Sequence, residues 1–69
     1  MSNGEYLKAM GKKMRAIRLS KKMTLRQLAV LCELDYTSIG RIECGEYSSR
    51  LLTLKVIADK LEVDIKDFL

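Results

Sequence analysis

The segment TLRQLAVLCELDYTSIGRIECG, from Thr24 to Gly45, leaves this chain little choice of fold. Thr24 is a good N-cap, because its hydroxyl can accept a bond from an unpaired amide in the first turn of a helix. Leu28, Ala29 and Cys32 then recur at i, i+1 and i+4 on one helical face. Glu33-Leu34 interrupts that pattern, and Asp35 can cap a second helix. Ile39 and Ile42 give the second helix an apolar face at i, i+3, and Gly45 suits the left-handed position that ends it. Two short helices joined by a turn of roughly three to four residues are the layout that sets a second helix into a DNA groove.

The flanking sequence is helical as well. Leu7, Met10, Met14 and Ile17 recur at i, i+3, i+7 and i+10, which predicts a first helix from Glu5 to Lys21 or Lys22. Lys8, Lys12 and Arg15 line another face of it. Gly11 falls mid-helix, where it costs roughly 1 kcal/mol against Ala, and close packing with another helix accounts for it. Leu51, Leu54, Ile57, Ala58 and Leu61 mark the buried face of a fourth helix, with Ser49 as its cap. Asp64 caps a short fifth helix anchored by Ile65 and Phe68. With 69 residues, 48% of them hydrophobic, and no Pro or Trp, the expectation is all-α: a single five-helix domain over residues 5–69 after a disordered 1–4. A chain of this size buries a modest core and is stable by only a few kcal/mol.

No apolar run approaches the length of a membrane span, and no export signal opens the chain. Two cysteines without export point to a reducing compartment, the cytoplasm. The net charge of +4 is unevenly spread. Residues 1–26 hold eight Lys/Arg against Glu5 alone, whereas residues 27–69 hold five against eight acids. A basic half opposite an acidic half fits an oriented contact with a polyanion; a solvated basic face is the plainer reading.

Catalysis is poorly supported. The chain has no His, the commonest general base and metal ligand. Cys32 and Cys44 are twelve residues apart, without the spacing or partners of a zinc site. Cys32 reads as a small core residue, and Cys44, near the end of the third helix, is left open between core and surface. There is no Gly-rich phosphate loop, and no cofactor or metal is implied.

The ordered set Thr24, Leu28-Ala29, Asp35, Ile39, Ile42-Glu43 and Gly45, followed by LLTLKVIADKLEV and DIKDFL, resembles the phage-repressor/Cro-type helix-turn-helix family, also called the xenobiotic-response-element family. The resemblance runs from Met10 to Leu69. It implies a lambda-repressor-like bundle whose third helix lies in the major groove, with Tyr36, Thr37 and Arg41 at the base edges. Arg can bond guanine bidentately, and Thr offers a methyl or a hydroxyl. For Tyr36 the alternative is a surface aromatic packed on its neighbour; for Arg41 it is a solvated charge or an intrahelical pair with an acid. Thr24, Arg26 and Gln27 at the start of the second helix, Ser38 on the third, and Ser48, Ser49 and Arg50 beyond it are candidate phosphate contacts, although a plain surface serine is an equal reading of Ser38. Arg18 and Glu43 match a structural pair that fixes the third helix against the first.

The sequence departs from the family's pattern in three places. Gly40 stands where a groove-reading side chain is common, Leu25 where Gln braces the recognition helix, and Glu33 where a turn Gly is frequent. If Glu33 has a positive φ, its backbone is strained.

The resemblance implies a sequence-specific double-stranded DNA-binding regulator, most simply a repressor, acting as a homodimer on an inverted repeat. Val63, Ile65, Phe68 and Leu69 are the dimer candidates, unless they only close the monomer core. The alternative is a protein-interaction module, such as an antitoxin-like partner, which the acidic C-terminal half and the changes at Gly40 and Leu25 favour. A basic helix on an anionic membrane is the weakest alternative, since the apolar stripe of the first helix is needed for the core.

Overall fold

The computed structural model describes residues 2–46 and 50–68. The expected helix order holds in four α-helices: α1 (Asn3–Ser20), α2 (Leu25–Cys32), α3 (Tyr36–Glu43) and α4 (Leu51–Lys60). The expected fifth helix is instead a single 3-10 turn over Ile65–Asp67. Asp64 does cap it, accepting from the Lys66 amide, but the turn is only three residues long. α1 opens at Asn3, inside the stretch expected to be disordered. Ser2 caps it through a reciprocal box in which the Ser2 hydroxyl accepts from the Glu5 amide and the Glu5 carboxylate accepts from the Ser2 amide.

The core forms where the apolar stripes meet. Met10 and Met14 of α1, Leu28, Ala29 and Cys32 of α2, Ile39 and Ile42 of α3, and Leu54, Ile57, Ala58 and Leu61 of the α4 region are buried together with Phe68. Phe68 is wholly buried, so it closes the monomer and is withdrawn as a dimer contact. Val63 and Ile65 are half-buried against the same core, and Leu69 lies outside the described residues. Leu51, placed on the buried face by its spacing, is 64% exposed, because Leu54 begins the buried stripe one turn later. Ser49, the expected cap of α4, lies outside the described residues. Arg50 takes the cap position and makes no side-chain cap bond.

α1 and α3 approach closely at Gly11. A β-carbon there would stand 2.3 Å from the Glu43 carbonyl oxygen and 2.6 Å from that of Ile42. Those are backbone atoms that cannot swing aside, so only Gly lets the two helices meet at this depth.

Candidate nucleic-acid interface

α2 begins at Leu25, and Thr24 caps it. The Thr24 hydroxyl accepts from the Gln27 amide at 3.1 Å, and the Gln27 side-chain oxygen accepts from the Thr24 amide at 2.8 Å. This box occupies one acceptor of each side chain and leaves the Gln27 NH2 group available as a donor. α2 ends at Glu33, whose φ of 56° and ψ of 39° are left-handed. The Leu34 amide reaches back to the Ala29 carbonyl at 3.0 Å, and the chain turns into α3. Asp35 caps α3 by accepting from the Thr37 amide at 3.3 Å.

α3 is held from behind by a buried ion pair. Arg18 donates from Nε to Glu43 Oε2 at 2.8 Å and from Nη2 to Glu43 Oε1 at 3.0 Å. Its Nη1 donates to the Met23 carbonyl at 2.8 Å, so one side chain joins α1, α3 and the turn before α2. The two side chains are 9% and 5% exposed. The two side chains pair in the interior, as the family resemblance implied, and neither charge is presented to solvent.

The outward face of α3 carries Thr37 and Arg41, both exposed. Arg41 lies 3.6 Å from the Glu46 carboxylate in an exposed pair. Ser38 is half-buried. Tyr36 is 43% exposed, and the Arg26 guanidinium sits over its ring, 4.6 Å from the centroid. The neighbour packed on the Tyr36 ring is thus Arg26. Arg50 is exposed; Ser48 and Ser49 lie outside the described residues.

Two features were hidden from sequence reasoning. Leu25 and Gly40 pack together: the Leu25 Cδ2 methyl is 3.2 Å from where a Gly40 β-carbon would be. Lys8, Lys12 and Arg15 of α1 line a groove whose other wall includes Leu25, Gly40 and Cys44. Their spacing marked a basic face, but nothing in it told which helix lay alongside. Cys44 is exposed and Cys32 is buried, and desolvation by burial raises the Cys32 thiol pKa, with Lys60 lowering it in part. Among the described residues no group of His, Cys, Asp and Glu could hold a metal, and no helix is long and apolar enough to cross a membrane.

A capped second helix, a left-handed turn and a short helix clamped from behind with its outer face open define a helix-turn-helix module. A helix-turn-helix family model matches residues 14–68, and the chain belongs to this Cro/C1-type family, whose members are non-enzymatic DNA-binding proteins. Among solved structures it is similar to the restriction-modification controller protein C.AhdI from Aeromonas hydrophila. That match has 25% identity and a TM-score of 0.88, covering 91% of this chain and 96% of that one. It is similar too to the DNA-binding domain of BldD, at 28% identity and a TM-score of 0.87, over 100% and 99% of the two chains. An HTH_3 family transcriptional regulator from Vibrio cholerae matches at 27% identity and a TM-score of 0.90, where this chain covers 38% of that one. No curated protein matches the sequence.

Proposed function

We propose that this protein is a double-stranded DNA-binding transcriptional regulator that sets α3 into the major groove and acts as a repressor by occupying its site. The observation that carries the reading is the open face of α3, with Thr37 and Arg41 exposed on a helix that Arg18 and Glu43 fix from behind. Thr37 and Arg41 supply base contacts, and Tyr36 stands at the entry of the helix beside them. Thr24, Arg26, Gln27 and Ser38, together with Ser48, Ser49 and Arg50, grip the phosphates. The basic groove of Lys8, Lys12 and Arg15 adds long-range attraction. The controller and regulator relatives support the same reading.

One monomer reads few base pairs, so a homodimer on an inverted repeat is proposed, with half-sites roughly 34–36 Å apart. Val63 and Ile65 remain its contact candidates, with Leu69 beside them in sequence. Exposed Leu52 and Val56 on α4 offer further apolar surface. Its workplace is the cytoplasm.

The test is binding to the DNA upstream of the protein's own gene, against scrambled DNA, at two salt concentrations, with Arg41→Ala alongside. Tight binding to the upstream duplex, a steep salt slope and relaxed preference in Arg41→Ala are expected. Equal weak binding to both duplexes would overturn the regulator reading and turn attention to a protein partner of the antitoxin-like kind. A protein that stays monomeric on a symmetric site would overturn the dimer.

A further inference from the structure

We propose that Arg26 and Tyr36 act as one phosphate-gripping unit, in which the Tyr36 ring is the platform that holds the Arg26 guanidinium at the junction of α2 and α3, and the Tyr36 hydroxyl reads no base. The inference rests on the DNA-binding reading above and gives Tyr36 a different part within it.

The two residues come from different helices, yet the guanidinium carbon lies 4.6 Å from the ring centroid. A guanidinium over an aromatic face is held by the ring's negative quadrupole while its N–H donors remain available to oxygen. The ring borders a shallow depression together with Ala29, Val30 and Leu34. Asp35 borders the same depression, and its Oδ1 accepts from the Thr37 amide at 3.3 Å. Among the described residues no ion pair engages Arg26. The guanidinium is therefore held by the ring without a direct ion pair, which leaves its N–H donors to an anion arriving from outside. Confining a long side chain before binding lowers the ordering cost that binding would otherwise carry.

Tyr36 is thus a positioning residue, and the test separates platform from reader. The probe is a duplex enriched by the unmodified protein from a random-sequence library, compared with its scrambled counterpart across a salt series. Tyr36→Phe keeps the ring and is expected to leave Kd, sequence preference and salt slope unchanged. Tyr36→Leu removes the platform and is expected to weaken binding about two- to fivefold, the range of an exposed cation–π contact. Arg26→Ala should weaken binding evenly across sequences and lower the salt slope by about one ion. In the Arg26→Ala background, Tyr36→Leu should do nothing further. In the free protein, ring-current shifts on the Arg26 side-chain protons should be present and vanish in Tyr36→Leu, which reads the stack without DNA.

Equal effects of Tyr36→Leu with and without Arg26 would overturn the inference, as would Tyr36→Phe relaxing preference at one base pair, or absent ring-current shifts. If the unmodified protein enriches no duplex while those shifts are present, the DNA-binding reading itself has failed, and the phosphate role falls with it.

Discussion

The Cδ2 methyl of Leu25 stands 3.2 Å from the point where a side chain on Gly40 would begin, so the bare backbone of α3 is the seat of the first side chain of α2. Taken one at a time, Leu25 and Gly40 each look like a loss: a missing bracing amide and a weakened helix. Together they are one packing arrangement, in which an apolar contact replaces a polar brace. Gly40→Ala gains roughly 1 kcal/mol of helix propensity but crowds that methyl. Leu25 is only half-buried, so the methyl can yield at some cost. The expected result is a net gain of less than about 0.5 kcal/mol in the native background and the full ~1 kcal/mol in Leu25→Ala. A urea-denaturation double-mutant cycle measures the difference, and strict additivity would show that the contact carries no energy.

All four α-helices end alike, and only one end was written plainly. Lys22, Glu33, Gly45 and Glu62 each adopt a positive φ. After them the amides of Met23, Leu34, Glu46 and Val63 reach back to the carbonyls of Arg18, Ala29, Arg41 and Ala58. Gly45 announced its end; at the other three the reach-back bonds hold an L-residue where glycine would sit more easily. Helix starts were more legible, because Thr24, Asp35 and Asp64 carry cap side chains whose chemistry is local. At the interface, one-residue properties such as exposure of Thr37 and Arg41 could be read in advance. Apart from Arg18 with Glu43, which the family resemblance supplied, side-chain pairings could not: neither Arg26 over Tyr36 nor Arg41 beside Glu46 leaves a mark in spacing. The strain gives a prediction. Glu33→Gly and Glu62→Gly should each stabilise by about 0.5–1 kcal/mol. Each should raise Tm by a few degrees for a domain of this size. A lower Tm would mean that contacts of the native side chain outweigh the relief.

Arg18→Ala should abolish DNA binding for a reason unrelated to DNA. It strands the Glu43 carboxylate in the interior, at a cost of about 3–5 kcal/mol, against a total stability of similar size. Replacing both partners, as in Arg18→Met with Glu43→Leu, removes the stranded charge and should recover most of the fold. Circular dichroism and binding on the same samples decide the matter. A double variant that folds and still binds the duplex confirms a positioning role; one that folds and binds no DNA would assign Arg18 a direct contact.

The two cysteines should separate cleanly under alkylation. Cys44 is exposed and should react within the native state, whereas Cys32 is buried and should react only through opening of the core. Burial also raises the Cys32 pKa above its ordinary 9.0, so folding favours the protonated thiol. That contribution is full below the unfolded pKa and is lost as pH rises through the higher folded value. Mass spectrometry of a timed alkylation series should show one rapid adduct at Cys44, with Cys32 appearing only as urea is added. Equal native rates would mean that the core opens far more often than its packing implies.

Glu46 pairs with Arg41, the side chain proposed above to read a base. The last backbone bond of α3 runs from the Glu46 amide to the Arg41 carbonyl at 3.0 Å, and the Glu46 carboxylate comes within 3.6 Å of the Arg41 guanidinium. Both side chains are more than half exposed, so the pair contributes little to folding. For binding the balance differs. On the proposed reading, Arg41 would leave the carboxylate to reach guanine, and the carboxylate would then face a phosphate-rich surface. Glu46→Gln removes both penalties. The expected outcome is a Kd tightened about two- to fivefold at low salt, with the advantage shrinking as salt screens the repulsion. Thermal stability should shift by less than about 0.5 kcal/mol. Fluorescence anisotropy titrations of native and Glu46→Gln protein at two ionic strengths test it. Weaker binding in the variant would mean that Glu46 serves to orient Arg41 for the groove, and that the pair persists in the complex.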